Sequence, residues 1–182
     1  MTLHTGFKGA WLTLWLAKLG ARVVGIALPP STNPSLFDQL DLAHDIDHRV
    51  VYIQDPVAVV SVVRETRPDI VFHLAAQSLV LRGYRLPLDT RSNNVMGTVH
   101  MLEAWRDLSK PGEPHETRRL ALSIERLRSR LGWTPRWSFS RAVRETMEWY
   151  RASSEVTKKQ LRERSLSVIR DYEACCAQEA RA

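Results

Sequence analysis

Cysteine is almost missing from this chain. Among 182 residues only Cys175 and Cys176 are cysteines, side by side near the C-terminus. Adjacent thiols make neither a disulfide framework nor a spaced set of zinc ligands, which excludes a stapled secreted scaffold and a structural metal module. Long apolar runs are missing too: no stretch of 18 apolar residues occurs, so no transmembrane helix is expected. The N-terminus has no basic segment leading into an apolar core and a cleavage site, so no secretory signal is expected and a cytoplasmic setting is the default. Nor is charge of one sign concentrated. Residues 1–110 carry 11 Lys/Arg against 10 Asp/Glu, a net of +1, and residues 111–182 carry 15 against 10, a net of +5, making the formal +6. That excess is interleaved with Glu along amphipathic segments and reads as a solvated face. No nucleic-acid partner is expected, since neither a tight basic cluster nor a known binding module is present.

Glycine is sparse, eight in all, and two of the eight fall within the first nine residues. His4-Thr5-Gly6-Phe7-Lys8-Gly9-Ala10-Trp11-Leu12 reads as a glycine turn opening an apolar helix. In a Rossmann domain the pyrophosphate of a dinucleotide rests at such a place, on backbone N–H groups at a helix N-terminus. The strand that should lead into the turn has only three residues before His4 and is expected to be missing.

The rest of the first half alternates. Leu12, Trp15, Leu16 and Leu19 follow helical spacing over residues 6–19, with Gly20 as a stop. Arg22–Leu28 is a β-branched run ended by Pro29 and Pro30 and predicts a strand. A short helix is expected around Leu36–Leu42, a strand at Val50–Ile53, a helix over Pro56–Arg67 with proline in its first turn, a strand at Asp69–Ala75, and a helix over Asn93–Arg106. This alternation predicts an α/β fold with a parallel sheet. The pattern breaks at 107–116, where Pro111, Gly112 and Pro114 suggest a linker. Beyond it only helices are expected: Ile124–Leu131, a stripe of Phe139, Ala142, Val143, Thr146, Met147 and Tyr150 capped by Ser138, and a last helix holding Val168, Ile169 and Tyr172.

Four motifs in order resemble the extended short-chain dehydrogenase/reductases, the NAD-dependent epimerase/dehydratase family, and within it the CDP-glucose 4,6-dehydratase branch. Thr5-Gly6-Phe7-Lys8-Gly9 matches the second half of the family loop T-G-x-T-G-F-x-G. Pro34-Ser35-Leu36-Phe37 looks like the CDP-glucose branch. His73-Leu74-Ala75-Ala76-Gln77 is similar to H-L-A-A-Q, and Tyr84, Pro87 and Asn94-Val95-Met96-Gly97-Thr98 to S-Y…P…T-N-V-x-G-T. Near the other end, Pro114-His115-Glu116 and Leu131-Gly132-Trp133-Thr134-Pro135-Arg136-Trp137 resemble the family's closing segments. In that family the two ends are separated by a long middle region.

The resemblance implies an incomplete Rossmann-like parallel sheet flanked by helices, followed by a helical C-terminal segment. Residues 1–106 are then a partial NAD-binding domain, 107–116 a junction, and 117–182 a helical remnant of the substrate-binding domain. It implies NAD as cofactor, held by Thr5, Gly6, Phe7, Lys8, Gly9, Leu74, Ala75, Ala76, Gln77 and Asn94. The implied partner is a nucleotide sugar, CDP-glucose, with a homo-oligomer as a further possibility. The implied reaction is an internal redox cycle: NAD takes a hydride from C4 of the hexose, water leaves across C5–C6, and the hydride returns to C6. Its base is a tyrosine activated by a lysine four residues on. No such pair exists here: Tyr52, Tyr84, Tyr150 and Tyr172 are followed at +4 by Pro56, Leu88, Ser154 and Cys176. No catalytic residue is therefore assigned, and dehydratase turnover is not expected. Leu3 stands where the loop's first glycine belongs, and Tyr52 where the family carries an aspartate.

Plainer readings stand beside these. The alternative function is a non-catalytic dimerisation or interaction fragment of the same family, with 93–106 as its apolar face. His44 and His48, four apart, fit a surface helix better than a metal site, because no third ligand accompanies them. His73 reads as a hydrogen-bonded strand-end histidine, and Trp133 and Trp137 as packing anchors. Asn94 caps the helix beginning there, holds site geometry as in the family, or does both.

Overall fold

The computed structural model describes residues 1–106, 128–130, 132–153 and 156–179, with the side chains of 176–179 left aside. The predicted junction at 107–116, most of the predicted helix Ile124–Leu131 and the side chain of Cys176 lie outside the described residues. The chain divides into two compact units, Met1–Gly112 and Glu113–Ala182.

In the first unit α1 spans Phe7–Lys18 and closes on Gly20, whose φ of 78° is the left-handed cap. Gly20 N–H donates to Ala17 O and Ala21 N–H to Leu16 O, both at 3.0 Å, the paired bonds of a Schellman motif. Strand β1, Val24–Ala27, runs parallel to β2, Asp47–Val50, in the register Val24–Asp47 to Ala27–Val50. Between them lie α2, Leu36–Gln39, started by the Ser35 side chain, and a 3₁₀ turn at Leu42–His44. Helix α3, Pro56–Thr66, is capped by Asp55, whose carboxylate accepts from Val57 N–H and Ala58 N–H. Two short helices, α4 (Val80–Arg85) and α5 (Pro87–Arg91), lead through a π turn, Ser92–Met96, into α6, Gly97–Arg106.

The core joins Ile26 of β1 and Ile53 to Val59 and Val63 of α3 and Met101 and Ala104 of α6. Gly97 permits that closure: a Cβ there would sit 2.8 Å from the Ile53 side chain.

Two sequence expectations move. The second strand is Asp47–Val50 rather than Val50–Ile53. Backbone bonds from Asp47 N–H to Val23 O and from Val51 N–H to Ala27 O bracket the ladder. On this edge strand Arg49 grips Asp47 and Glu65 at 2.7 Å each, which lets a polar segment pair where the β-branched run does not. Asp69–Ala75 is extended but makes no ladder of its own.

The leading strand expected to be missing is partly there. Met1–Leu3 lies between β1 and residues 70–74. Ile26 N–H donates to Met1 O (2.9 Å) and Leu3 N–H to Ile26 O (3.0 Å) on one side, and Thr2 N–H donates to Phe72 O (2.9 Å) on the other. Three residues thus bond both neighbours, as the central strand of a doubly wound sheet does. The architecture is α/β, an incomplete Rossmann-like parallel sheet flanked by helices.

In the second unit α7, Phe139–Ser153, packs on α8, Lys158–Glu179. Ser138 caps α7 as predicted, its Oγ accepting from Arg141 N–H. The predicted apolar stripe is not the buried face: Phe139, Val143, Met147 and Tyr150 are exposed, and Trp149 is buried instead. Trp149 Nε1–H donates to Ser165 Oγ at 3.0 Å, and Ser165 donates on to Leu161 O. A tryptophan that can satisfy its one donor in the interface outcompetes the stripe for the contact. Trp137 packs edge-on to Tyr172, with the Arg141 guanidinium 4.7 Å over its ring, an anchoring role as predicted, whereas Trp133 is exposed.

Candidate functional site

The turn from Leu3 to Gly9 feeds α1. Gly6 is its extended N-cap and offers no side-chain acceptor, so no side chain caps the first turn of α1. A helix start of that kind attracts an anion. Thr5 Oγ1–H is tied to Leu28 O at 3.0 Å at the end of β1, while Phe7 and Lys8 face solvent. Gly9 has the closest constraint: a Cβ there would lie 1.9 Å from Leu3 O and 2.8 Å from His4 Cα. Only glycine lets α1 seat against the strand stub.

Leu3 departs from the pattern and its geometry shows the consequence. Its φ is 57°, a left-handed conformation natural to glycine and costing other residues about 1–2 kcal/mol. Its Cγ stands 3.1 Å from where a Cβ on Gly6 would be, so the leucine side chain leans over the turn.

Opposite the turn, one hydrogen-bonded chain orders the residues after the extended segment. Thr2 Oγ1 accepts from Leu74 N–H and Ala75 N–H, both at 2.9 Å, and donates to His73 Nδ1 at 3.1 Å. His73 then carries its proton on Nε2, which donates to Thr98 Oγ1 at 3.1 Å, and Thr98 donates to Asn94 O at 2.7 Å. The Asn94 side chain closes the circuit: its Oδ1 accepts from Gln77 N–H (2.7 Å) and its Nδ2–H donates to Gln77 O (3.0 Å). Gln77 in turn reaches Thr90 and the backbone of Leu79. Burial holds the His73 imidazole below its ordinary pKa, in keeping with a neutral ring that accepts at one nitrogen and donates at the other. The capping reading of Asn94 does not hold, because its side chain clamps the backbone of Gln77 and caps no helix among the described residues.

The structure brings Leu74, Ala75, Gln77 and Asn94 into this one network, and Thr5, Gly6 and Gly9 into the turn that Met1–Leu3 feeds. Thr2 connects the two. Thr2, His73 and Thr98 were not among the predicted site residues. The signal for Thr98 lay in the Asn94–Thr98 motif itself, since residues four apart on a helix face share a side.

The histidines at 44 and 48 do not share a helix. His44 pairs with Asp41 on the 3₁₀ turn, and His48 lies on β2, where its Nδ1 is 2.6 Å from Nε2 of the buried His4. Phe37 packs on both rings. His4 is pushed down to about 4, first by burial, then by the neighbouring His48 and the N-terminal ammonium, with an opposing contribution from the Ile26 backbone. Among the described residues no group of three His, Cys, Asp or Glu side chains is placed to hold a metal, and no helix is long and apolar enough to cross a membrane.

The residues present suit a dinucleotide in part. The start of α1 has no side-chain cap and Gly9 admits no Cβ, features that suit a pyrophosphate, while Leu3 stands where the family pattern has a glycine and leans over Gly6. Residues 2–113 match the family model described as GDP-mannose 4,6 dehydratase. The chain is 48% identical over 108 residues to CDP-glucose 4,6-dehydratase of Salmonella typhimurium, covering 59% of this chain and 30% of that protein. It is 32% identical over 120 residues to GDP-mannose 4,6-dehydratase of Yersinia enterocolitica, covering 63% and 32%. A UDP-glucose-4-epimerase from Stenotrophomonas maltophila, solved with bound NAD, superposes with a TM-score of 0.52 at 22% identity over 59% of this chain and 32% of that one, a likeness of fold. The chain thus spans about a third of the length of the relatives it matches.

Proposed function

The chain belongs to the GDP-mannose 4,6-dehydratase family, and from that premise we propose that it is a CDP-glucose 4,6-dehydratase-like module that binds NAD weakly and does not turn over its nucleotide sugar. The observation that carries the cofactor half is the hydrogen-bonded chain from Thr2 through His73, Thr98 and Asn94 to Gln77, a half-buried polar circuit whose members satisfy one another. NAD would be held by the Thr5–Gly9 turn and the Leu74–Gln77 segment, and it would supply hydride chemistry when bound. The network keeps the backbone of 73–77 in place, and the uncapped start of α1 offers N–H groups to a pyrophosphate. Leu3 weakens the site by covering Gly6.

The sequence supports the inactive half. None of the four tyrosines is followed at +4 by lysine, so the activated base this chemistry uses has no candidate. CDP-glucose is the substrate class favoured by the 48% identity to the Salmonella enzyme, and a cytoplasmic setting goes with it. Purified chain incubated with NAD and CDP-glucose is expected to show saturable NAD binding by calorimetry and no 4-keto-6-deoxy sugar by mass spectrometry; turnover would overturn the reading.

A second reading, a non-catalytic partner that pairs with copies of its family, is favoured by one observation. Leu79, Val80, Leu81, Tyr84, Leu88 and Leu102, on and before α4–α6, are each at least 63% exposed. An apolar surface of that extent on a lone chain marks an association face. Sedimentation of the chain alone and mixed with an intact family member separates the two readings.

A further inference from the structure

His4 and His48 take no part in the network around Gln77, and they meet ring to ring beside the glycine turn. His4 sits within the Leu3–Gly9 turn and is fully buried. The parallel register pairs His48 of β2 with Gly25 of β1. Because residue 25 has no side chain, the His4 ring lies directly on it: a Cβ there would stand 2.6 Å from His4 Cγ and Nδ1. Phe37 of α2 meets the same ring edge-on, 5.3 Å between centroids. Nδ1 of His4 is buried without a hydrogen-bond partner, so the polar end of this side chain rests on Nε2, 2.6 Å from Nδ1 of His48. His48 is half-buried and joins the cluster to solvent. Its ring lies 4.8 Å from His4 and 5.1 Å from Phe37 between centroids.

We propose, resting on the cofactor reading of the turn, that His48 is a positioning residue for it, holding His4 and with it the Leu3–Gly9 backbone through one proton shared between the two rings. At 2.6 Å one nitrogen must donate and the other accept. Removing His48 strands a buried nitrogen of the turn, and the turn gives way before the strands do. The shared proton also makes the hold sensitive to acid. With His48 alone protonated the bond survives, since its Nδ1–H donates to His4 Nε2. With both rings protonated, N–H faces N–H and two positive charges meet, so His4 loses its anchor. Burial, then His48, already holds His4 down to about 4. The carboxylates on the packed elements are engaged elsewhere: Asp38 of α2 accepts from Ser35, and Asp47 and Arg49, which flank His48, pair with each other and Arg49 with Glu65. The N-terminal ammonium adds a further repulsion at His4.

The test compares the whole chain with His48→Phe and His48→Asn, each checked for fold by circular dichroism. Phenylalanine keeps the ring packing and removes the nitrogen. Asparagine places an amide near Nδ1 that donates or accepts at any pH. Exchange of the Gly6 amide, which donates to Leu3 O at 3.1 Å, reads the turn without a ligand. At about pH 7.5 it is expected about tenfold faster in His48→Phe and within about threefold of the parent in His48→Asn, with NAD affinity by calorimetry in the same order. From about pH 7.5 to about pH 5.5 the parent should lose about tenfold in NAD affinity and His48→Asn about threefold, because the amide oxygen accepts from a protonated His4. The N-terminal ammonium and His73 are the same in all three chains, so the difference belongs to position 48. Parent-like exchange in His48→Phe, no rescue by asparagine, or equal acid losses in the parent and His48→Asn would overturn the proposal. Failure of the parent to bind NAD, with the exchange differences as expected, would overturn the cofactor reading and leave the hold of His48 on the turn standing.

Discussion

Leu3 is a residue in a glycine's conformation. Replacing it removes the left-handed strain and uncovers Gly6, while the flexible glycine returns part of the gain as chain entropy, about 0.5–1 kcal/mol. Leu3→Gly is therefore expected to leave stability within about 1 kcal/mol of the parent and to tighten NAD binding about tenfold, worth about 1.4 kcal/mol. His4 is a second single-residue device. Its folded-state pKa of about 4 lies below the ordinary 6.5, so the fold prefers the neutral ring. The unfolded chain then binds more protons than the folded one between these values. Stability contributed by the neutral ring is complete above pH 6.5 and declines as pH falls toward 4, by on the order of 2–3 kcal/mol. Burial of His73 acts in the same direction. Urea midpoints measured from pH 7 to 4 should fall in the parent and fall less in His4→Asn; parallel curves would contradict the assignment.

Among the elements, Thr2 binds the stub to the 73–77 segment. Thr2→Val would leave Leu74 N–H, Ala75 N–H and His73 Nδ1 without their partner, at about 1–3 kcal/mol for a buried group so stranded. A loss of about 2–3 kcal/mol by chemical unfolding is expected, with Thr2→Ser recovering most of it. Gly9→Ala places a Cβ against the backbone of Leu3 and should cost about 3 kcal/mol by the same measurement, because α1 must move off the stub. The elements whose signal is local were legible in the sequence: α1 from its apolar spacing and Gly20, α3 from Asp55-Pro56, α7 from Ser138. Those decided by pairing were not. β2 falls on Asp47–Val50 because its ladder to β1 runs there, while the greasier Val50–Ile53 suggested otherwise. The buried face of α7 is set by a Trp149–Ser165 bond across to α8, which a stripe read from one helix does not contain.

For the whole molecule, the glycine turn and the motifs after it named the lineage, and the candidate site was legible only as separate motifs. Thr5–Gly9, Leu74–Gln77 and Asn94 were each visible as short segments. The circuit that unites them was not, because Thr2 meets Leu74 across 72 residues of sequence, a separation no local pattern reports. The sheet also proved less broken than the sequence implied, since three residues are enough to bond both neighbouring segments. The described residues hold a glycine-closed helix start and a hydrogen-bonded 73–77 segment on a partial sheet, in a chain whose four tyrosines have no lysine at +4. The most direct measurement is a calorimetric titration of NAD into the parent chain and into Leu3→Gly under one buffer. Saturable binding to both, about tenfold tighter in the variant, is the predicted result. Absence of binding to either chain, or equal affinity in the two, would contradict the account of Thr5–Gly9 as a cradle partly covered by Leu3.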